Sequence, residues 1–472
     1  MRMSRISARR VAATAIALTD IAQDMTVLQR VGTAKDITVA GTSNGSQVTV
    51  QAVDAVSGAV IAERTRVKVI SGAFSAALTV PQGGWYKLKA VDARQSGVNA
   101  TGSNRFGVGV VVGMAGQSNM NGLQNNTASY PLGSPLAVEY QAGAYRRIGN
   151  VNDAYAPGTL WPTYSIFTAS TNRGDGYVHL ANLLSSGLGG IPVCLVNRAV
   201  NGSSITSWQA GQANLTTLAS AIAAAGGDME LFIWLQGETD AAGMSKATYK
   251  TNLGNVHALT RAMTPRAVGD FRFGVVSLGV GSYLGSVEGD FGKIRAAHIE
   301  YAAENTGAFH AASAHDVITS DGVHITGEGQ SRIGRRAALA ALGALSGQNK
   351  SGPRIASASR SGNVVTLTIE QRGGSALQDG GGGSGSALTG FKVFDNGVEV
   401  ALSATAIAGS TSIQLTLSAT PTGVVTVSYG MANCPHGTTS SVTLASAVYD
   451  NQPVHGSSLG MLLAPLQSMS VT

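Results

Sequence analysis

The chain has 472 residues, of which 44% are hydrophobic and only 12% charged, with 61 glycines and a formal net charge of +6. The apolar share is enough for sizeable cores and excludes disorder across the chain, which goes with high charge and low hydrophobicity; at about 150 residues per domain it predicts roughly three domains. No apolar run reaches the ~18 residues of a membrane-spanning helix, the two cysteines, Cys194 and Cys434, give neither a disulfide framework nor a four-ligand zinc site, and no basic stripe interleaved with aromatics marks a nucleic-acid surface.

Arg2, Arg5, Arg9 and Arg10 gather positive charge in the first ten residues, and the rest of the chain is close to neutral. Two readings stay open for residues 1–25. One is a retained basic arm that makes virion or homo-oligomer contacts. The other is a short signal peptide of twin-arginine flavour, with Arg9 and Arg10 ahead of the apolar run 11–18. That run is short and broken by Thr14, and no small-residue cleavage site follows cleanly, so the retained arm is the expectation.

Residues 26–108 read as β structure. Short, often alternating apolar runs (27–28, 37–40, 48–52, 60–62, 67–70, 73–80, 86–91) are separated by Gly, Asn, Ser and Pro, which predicts a β-sandwich. From 108 the texture changes to continuous apolar runs at 108–113, 191–196, 231–235, 271–278 and 308–314, as expected of strands buried on both faces. Helical patterns at 213–225, 246–263, 291–304 and 328–345 alternate with them. This predicts an α/β domain over 109–350 built on a parallel sheet, with its site at the carboxyl ends of the strands. Over 351–450 the β texture returns, with a hairpin turn at Asp395-Asn396-Gly397, and predicts a second β-sandwich. Residues 451–472 read as an irregular tail, and no internal repeat is present.

Four polar segments follow the apolar runs. The first strand ends in Gly113-Met114-Ala115-Gly116-Gln117-Ser118-Asn119-Met120. A serine on a tight turn after a buried strand is where a nucleophile is exposed, although an ordinary strand-to-loop turn reads the same way, and Met120 breaks the Gly-x-Ser-x-Gly pattern. The last strand is followed by Asp321-Gly322-Val323-His324. An aspartate three residues before a histidine can fix its tautomer within one loop, with Gly322 allowing the sharp turn; a solvated surface turn is the plainer alternative. The second run leads into Asn201-Gly202-Ser203-Ser204-Ile205 and Trp208, where a Gly202 N–H suits a developing oxyanion, although taken alone a plain glycine turn is the commoner reading. The third reads Trp234-Leu235-Gln236-Gly237-Glu238-Thr239-Asp240. Polar groups directly after a buried strand must be satisfied or functional: Gln236 as an oxyanion donor, Glu238 as a brace for the nucleophile turn or as a helix cap. All four segments fall on one edge of the predicted sheet.

GQSNM, the NGSSI segment with its tryptophan, WLQGETD and DGVH together resemble the four blocks of the SGNH-hydrolase superfamily, and within it the sialate O-acetylesterase-like carbohydrate esterases. Met25 to Arg30 and Gly83 to Leu88 resemble segments upstream of the serine block in the same proteins. The resemblance implies a flavodoxin-like SGNH hydrolase domain flanked by β-sandwiches. It implies Ser118 as nucleophile, His324 as general base and then acid, and Asp321 as its orienter. The Ser118 N–H, the Gly202 N–H and the Gln236 amide would form the oxyanion hole, with Asn119 and Glu238 in support and no cofactor or metal required. The implied activity is removal of O-acetyl groups from a glycan by acyl transfer, with a general SGNH esterase or lipase as the nearest alternative.

On the substrate side, Tyr130, Tyr140, Tyr145, Tyr155, Tyr164, Tyr177 and Trp161 crowd between 130 and 177. Aromatic loops over a site suit sugar stacking, and packing of a long loop explains them as well; Tyr155, Trp161 and Trp208 are the expected sugar contacts. The other histidines show no ligand spacing, and Asp316 is the fallback for Asp321. The Gly-, Ala-, Ser- and Thr-rich, charge-poor composition fits an extracellular or virion-associated protein such as a phage tail component, with a secreted or periplasmic enzyme as alternative. A non-catalytic glycan-binding adhesin or structural virion protein is the reading from another class, disfavoured by a full set of catalytic residue types.

Overall fold

The computed structural model describes residues 14–121, 134–141, 143–148, 175–283, 285–383, 387–454 and 457–472. The fold is mixed α/β, with one many-stranded sheet and several separate β sheets, and the chain divides into two compact units, Met1–Gly109 and Val110–Thr472.

The first unit is all β. Strands β1 (Ile16–Leu18), β2 (Thr26–Gln29), β3 (Ala34–Ser43), β4 (Gln47–Asp54), β5 (Val60–Lys68), β6 (Ala73–Pro81), β7 (Gly83–Asp92) and β8 (Asn99–Thr101) lead to β9 (Phe106–Gly116). β1, β3 and β6 form one sheet, and β4 pairs with β5 and β7 in another. β6 shows why they form: its side chains alternate strictly between exposed and buried, placing Phe74, Ala76, Leu78 and Val80 inward. These meet Val48, Val50, Leu88 and Phe106 in one core. Two expectations are corrected here. Residues 60–68 form one continuous strand, not two runs around a loop, because Glu63, Arg64 and Arg66 lie on exposed strand positions. The segment 1–25 is not a free arm throughout, since β1 pairs antiparallel with β3; residues 1–13 lie outside the described residues.

In the second unit the chain continues through α1 (Ser118–Asn121), β10 (Ala137–Gln141), β11 (Ala144–Arg147), α2 (Asp175–Gly187), β12 (Val193–Asn197), α3 (Ala213–Ala224), β13 (Leu231–Leu235), α4 (Lys246–Arg261), β14 (Arg272–Val276), α5 (Asp290–Glu304), β15 (Ala308–Ala312) and α6 (Gly327–Leu345). The sheet order is β11-β10-β12-β9-β13-β14-β15. All neighbours run parallel except the β10–β11 hairpin. β9, β12 and β13 are buried at every residue, the burial that continuous apolar runs predict. Since the strands are parallel, the loops after β9, β12, β13, β14 and β15 leave by the same edge. The parallel strand β10 went unread in the sequence because its run is short and carries Glu139 and Gln141.

Strands β16 (Arg354–Ser361), β17 (Val364–Glu370), β18 (Leu377–Asp379), β19 (Phe391–Asp395), β20 (Val398–Val400), β21 (Leu402–Gly409), β22 (Ser412–Leu417), β23 (Val425–Tyr429), β24 (Val448–Asp450) and β25 (Leu466–Ser470) complete the unit. The sheets β16-β17-β22-β21 and β20-β19-β23-β25 share one core that includes Val365, Leu367, Val393, Leu415 and Val427. The expected irregular tail is corrected: β25 pairs with β23, and Leu462 and Leu463 are buried.

This β region is locked onto the α/β region by buried polar contacts. The Arg295 guanidinium, fully buried in α5, donates to the carbonyls of Leu278, Gly279, Gly430, Ala432 and Asn433 at 2.5–3.0 Å. Asp316 accepts a two-pronged pair from Arg336 at 2.7 and 2.8 Å and a bond from Tyr449 Oη at 2.9 Å. Burial works to raise the Asp316 pKa, but the Arg336 guanidinium beside it holds it well below the usual carboxylate range.

Several histidines are enclosed, and burial outweighs every other influence on their charge. Burial pushes the pKa of His298 and His310 down to about 3 and of His257 and His436 down to about 4. Because these folded-state values lie below the ordinary 6.5, the unfolded chain binds protons that the folded chain refuses once the pH drops below about 6.5. Stability is therefore complete above pH 6.5 and is lost progressively down to about pH 3–4, at about 1.4 kcal/mol per pH unit for each such histidine. Denaturant titrations between pH 7 and 4.5 should show this slope, and His436→Gln should flatten it; a stability unchanged from pH 7 to 5 would contradict neutral buried histidines.

Candidate active site

Ser118 opens the short helix after β9. Gly116 makes the approach possible: its φ is +149°, and a Cβ there would overlap the Leu235 carbonyl oxygen on the adjoining strand. Ser118 Oγ lies 3.0 Å from Nε2 of His324, and His324 Nδ1 lies 2.6 Å from Asp321 Oδ2. The Asp321 carboxylate also accepts the His324 and Val323 backbone N–H groups at 2.8 and 3.2 Å. Burial acts to raise the Asp321 pKa, but these bonds outweigh it and hold the group below its ordinary value, in the ionised form. Gly322 takes φ +91°, a left-handed turn that lets the aspartate fold back on the histidine three residues on. The three residues singled out for the relay are thus brought together in hydrogen-bonded order.

Asn119 joins the two loops that carry them. Its Nδ2 donates to Glu238 Oε1 at 2.6 Å and to the Val323 carbonyl at 3.0 Å, and its Oδ1 accepts the Ile325 N–H at 3.0 Å. Its own carbonyl accepts from Gln330 Nε2 at 2.9 Å. Val323 and Ile325 flank His324, so one carboxamide fixes the backbone on both sides of the histidine. Glu238 is buried, and that burial raises its pKa against the opposing bond from Asn119; its Oε2 has no hydrogen-bond partner among the described residues.

Two of the three expected oxyanion donors stay without a protein acceptor among the described residues. The Ser118 and Gly202 N–H groups make no hydrogen bond to the described residues, and the loop bearing Gly202 is held at the nucleophile turn by the Val200 N–H on the Gly116 carbonyl at 2.9 Å. The third expectation is corrected. Gln236 is fully buried, and its Nε2 is taken by Asp240 Oδ2 at 2.6 Å and the Ser203 carbonyl at 2.9 Å, with Gln117 Oε1 at 3.2 Å. Two amide protons that serve a carboxylate and a carbonyl are not open to a substrate oxygen. Gln236 is a strut that ties the loop after β13 to the loop after β12. Asp240 completes it by accepting Ser204 Oγ at 2.5 Å and the Ile205 N–H at 2.8 Å.

The expected sugar contacts fare differently. Trp208 is corrected to a core residue: it is 0% exposed, packs edge-on against Trp234 with ring centroids 5.6 Å apart, and donates its indole N–H to Ser203 Oγ at 3.0 Å. Tyr140 and Tyr145 are buried against each other across the β10–β11 hairpin, not displayed over the site. Tyr155 and Trp161 lie outside the described residues. Asp316, the fallback for Asp321, is bound to Arg336 and Tyr449. Gln117 was missed by the sequence reading. Its Oε1 also accepts the Gly237 and Thr239 N–H groups at 3.3 and 3.2 Å, and its position directly after a buried strand was the available signal.

Residues 109–343 match the family model described as carbohydrate esterase, sialic acid-specific acetylesterase. A carbohydrate acetylesterase from Xanthomonas citri aligns over 96% of this chain and 99% of its own at 19% identity, with a TM-score of 0.61, a likeness of fold. A family two carbohydrate esterase from Cellvibrio japonicus covers 71% of this chain and 99% of its own at 12% identity and a TM-score of 0.32. A tail fibre protein from a phage of E. coli covers 68% of this chain and 34% of its own at 14% identity and a TM-score of 0.30. No curated protein matches.

Removing the Asn119 clamp should misplace His324 without emptying the site. Asn119→Ala is expected to lower kcat for acetyl-ester hydrolysis by about 10²-fold, the scale of a 1 Å misplacement, with KM little changed. The measurement is a steady-state comparison with the parent enzyme; an unchanged kcat would show that the clamp is not needed for alignment.

Proposed function

The α/β domain belongs to the sialic acid-specific acetylesterase family of carbohydrate esterases over residues 109–343, and from that premise we propose that the chain removes O-acetyl groups from a glycan through a Ser118–His324–Asp321 acyl-enzyme mechanism. The observation that carries this is the unbroken relay of 3.0 and 2.6 Å from Ser118 through His324 to Asp321. His324 Nε2 takes the Ser118 proton as Oγ attacks the ester carbonyl, and the nearby Asp321 carboxylate stabilises the imidazolium. The oxyanion meets the Ser118 and Gly202 N–H groups. The sugar hydroxyl leaves with the proton from His324, and acetyl-Ser118 remains. His324 then deprotonates a water that attacks this ester, acetate departs, and the proton returns to Ser118 Oγ.

We read the central strand order as the flavodoxin-like arrangement of an SGNH hydrolase, and the two β regions, each with sheets over a shared core, as flanking sandwiches. A non-catalytic adhesin has no use for a hydrogen-bonded relay beside two open N–H donors, so the enzymatic reading is the better one. The placement outside the cytosol, secreted or borne on a virion, rests on the low charge and high glycine content; mass spectrometry of purified particles against culture supernatant distinguishes the two.

Acetate release from a panel of O-acetylated glycans tests the function. Ser118→Ala should lower kcat by about 10⁶-fold and Asp321→Ala by about 10⁴-fold. Parent-like turnover by the Ser118→Ala variant would overturn the mechanism.

A further inference from the structure

At the amino ends of β14 and β15, the sheet edge opposite Ser118, an open cleft of about 480 Å³ lies between the α/β region and the strands β16 and β17. Its size falls in the range of small-ligand sites, about 300–1,000 Å³. Arg272, Arg354 and Arg372 reach it from three different elements, with Gln348 beside them and Phe309 as an apolar wall. Among the described residues Glu370 is the only carboxylate in that wall, and it is held by Arg354, whose Nε and Nη2 lie 2.7 Å from one of its oxygens. The other two guanidiniums have no carboxylate in ion-pair contact among the described residues. Arg272 donates to the carbonyls of Ala344 and Gly269. Arg372 donates through Nε to the Gly352 carbonyl at 2.6 Å, and its buried Nη2 has no partner among the described residues. Asp450 also acts on Arg372; it is fully buried, with Oδ1 held by the Gln452 and Met461 N–H groups and Oδ2 without a hydrogen-bond partner among the described residues. His310, which also lines the cleft, adds no negative charge. Burial, then Arg354, pushes the Arg372 pKa down to about 10 against the opposing pull of Glu370 and Asp450.

Part-buried guanidiniums held only by carbonyls favour an anion, and the planar fork suits a carboxylate. We propose that this cleft is a second saccharide site, which binds a carboxylate-bearing sugar unit of the hexuronate class through Arg372, Arg272 and Arg354. That the ligand is a sugar rests on the proposed glycan esterase function; that it is an anion rests on the cleft alone. An acidic polymer bound here would be retained at one edge of the sheet while its esters are cleaved at the other.

Isothermal titration of the full chain with glucuronate, glucose and inorganic phosphate tests this. Saturable binding of glucuronate, absent for glucose and weaker for phosphate, is the expected result. Arg372→Gln and Arg354→Gln should each weaken it by about 10-fold or more, the scale of a charged hydrogen bond. Glu370→Gln, which removes the one carboxylate of the wall, should tighten it. Turnover of p-nitrophenyl acetate, a neutral ester, should stay unchanged in all three variants, which separates failure of this site from failure of the esterase. No saturable glucuronate binding, or binding indifferent to Arg372→Gln and Arg354→Gln, overturns the site; phosphate binding as tight as glucuronate overturns the saccharide assignment.

Discussion

The site depends on one buried carboxamide. Ser118 and His324 are 206 positions apart in the chain and sit on separate loops, and Asn119 is the group that bonds to both flanks of the histidine while its own backbone continues from the serine. It is 2% exposed, so each bond it makes replaces water that cannot enter, and leaving such a group unpaired costs about 1–3 kcal/mol. The same logic governs the shell around it. Gln117, Gln236, Asp240 and Tyr249 interlock beneath the loops after β12 and β13. A buried polar network of this kind is rigid when complete, and it ties the loops after β12 and β13 together.

The β strands after residue 354 belong to the same mechanical system. Arg295 has no carboxylate in ion-pair contact among the described residues and is neutralised by five carbonyl dipoles, two from the loop after β14 and three from the segment after β23. A desolvated cation tolerates this only with its donors matched. The loop after β14 in turn donates the Ser282 N–H to the Gly322 carbonyl, and Thr319 donates its N–H to Thr439. The turn that carries Asp321 and His324 is therefore supported from both sides. This accounts for Val110–Thr472 behaving as one compact unit where composition suggested separate domains.

The two edges of the parallel sheet differ in charge. Carboxyl groups, Glu238, Asp240 and Asp321, gather at the edge that carries Ser118 and His324. Guanidiniums gather at the other, where Arg272, Arg354 and Arg372 line one cleft. A parallel sheet separates its two loop sets by the full length of its strands.

By itself the sequence determined whatever is local. Strands buried on both faces, β9, β12 and β13, are legible because each of their residues must be apolar; Asp321 and His324 are legible because a three-residue spacing closes within one turn; Ser118 is legible because it follows such a strand directly. The sequence also showed that Gln236, Glu238 and Asp240 must be satisfied or functional, since polar groups stand where burial begins. Only the tertiary structure decided by whom. Gln236 is claimed by Asp240 and Ser203, Trp208 faces Trp234 and not a ligand, β25 finds β23, and Arg295 finds carbonyls more than 130 positions away. Hydrogen-bond partners and packing faces depend on segments distant in the chain, and the residue types alone carry no record of which distant group arrives.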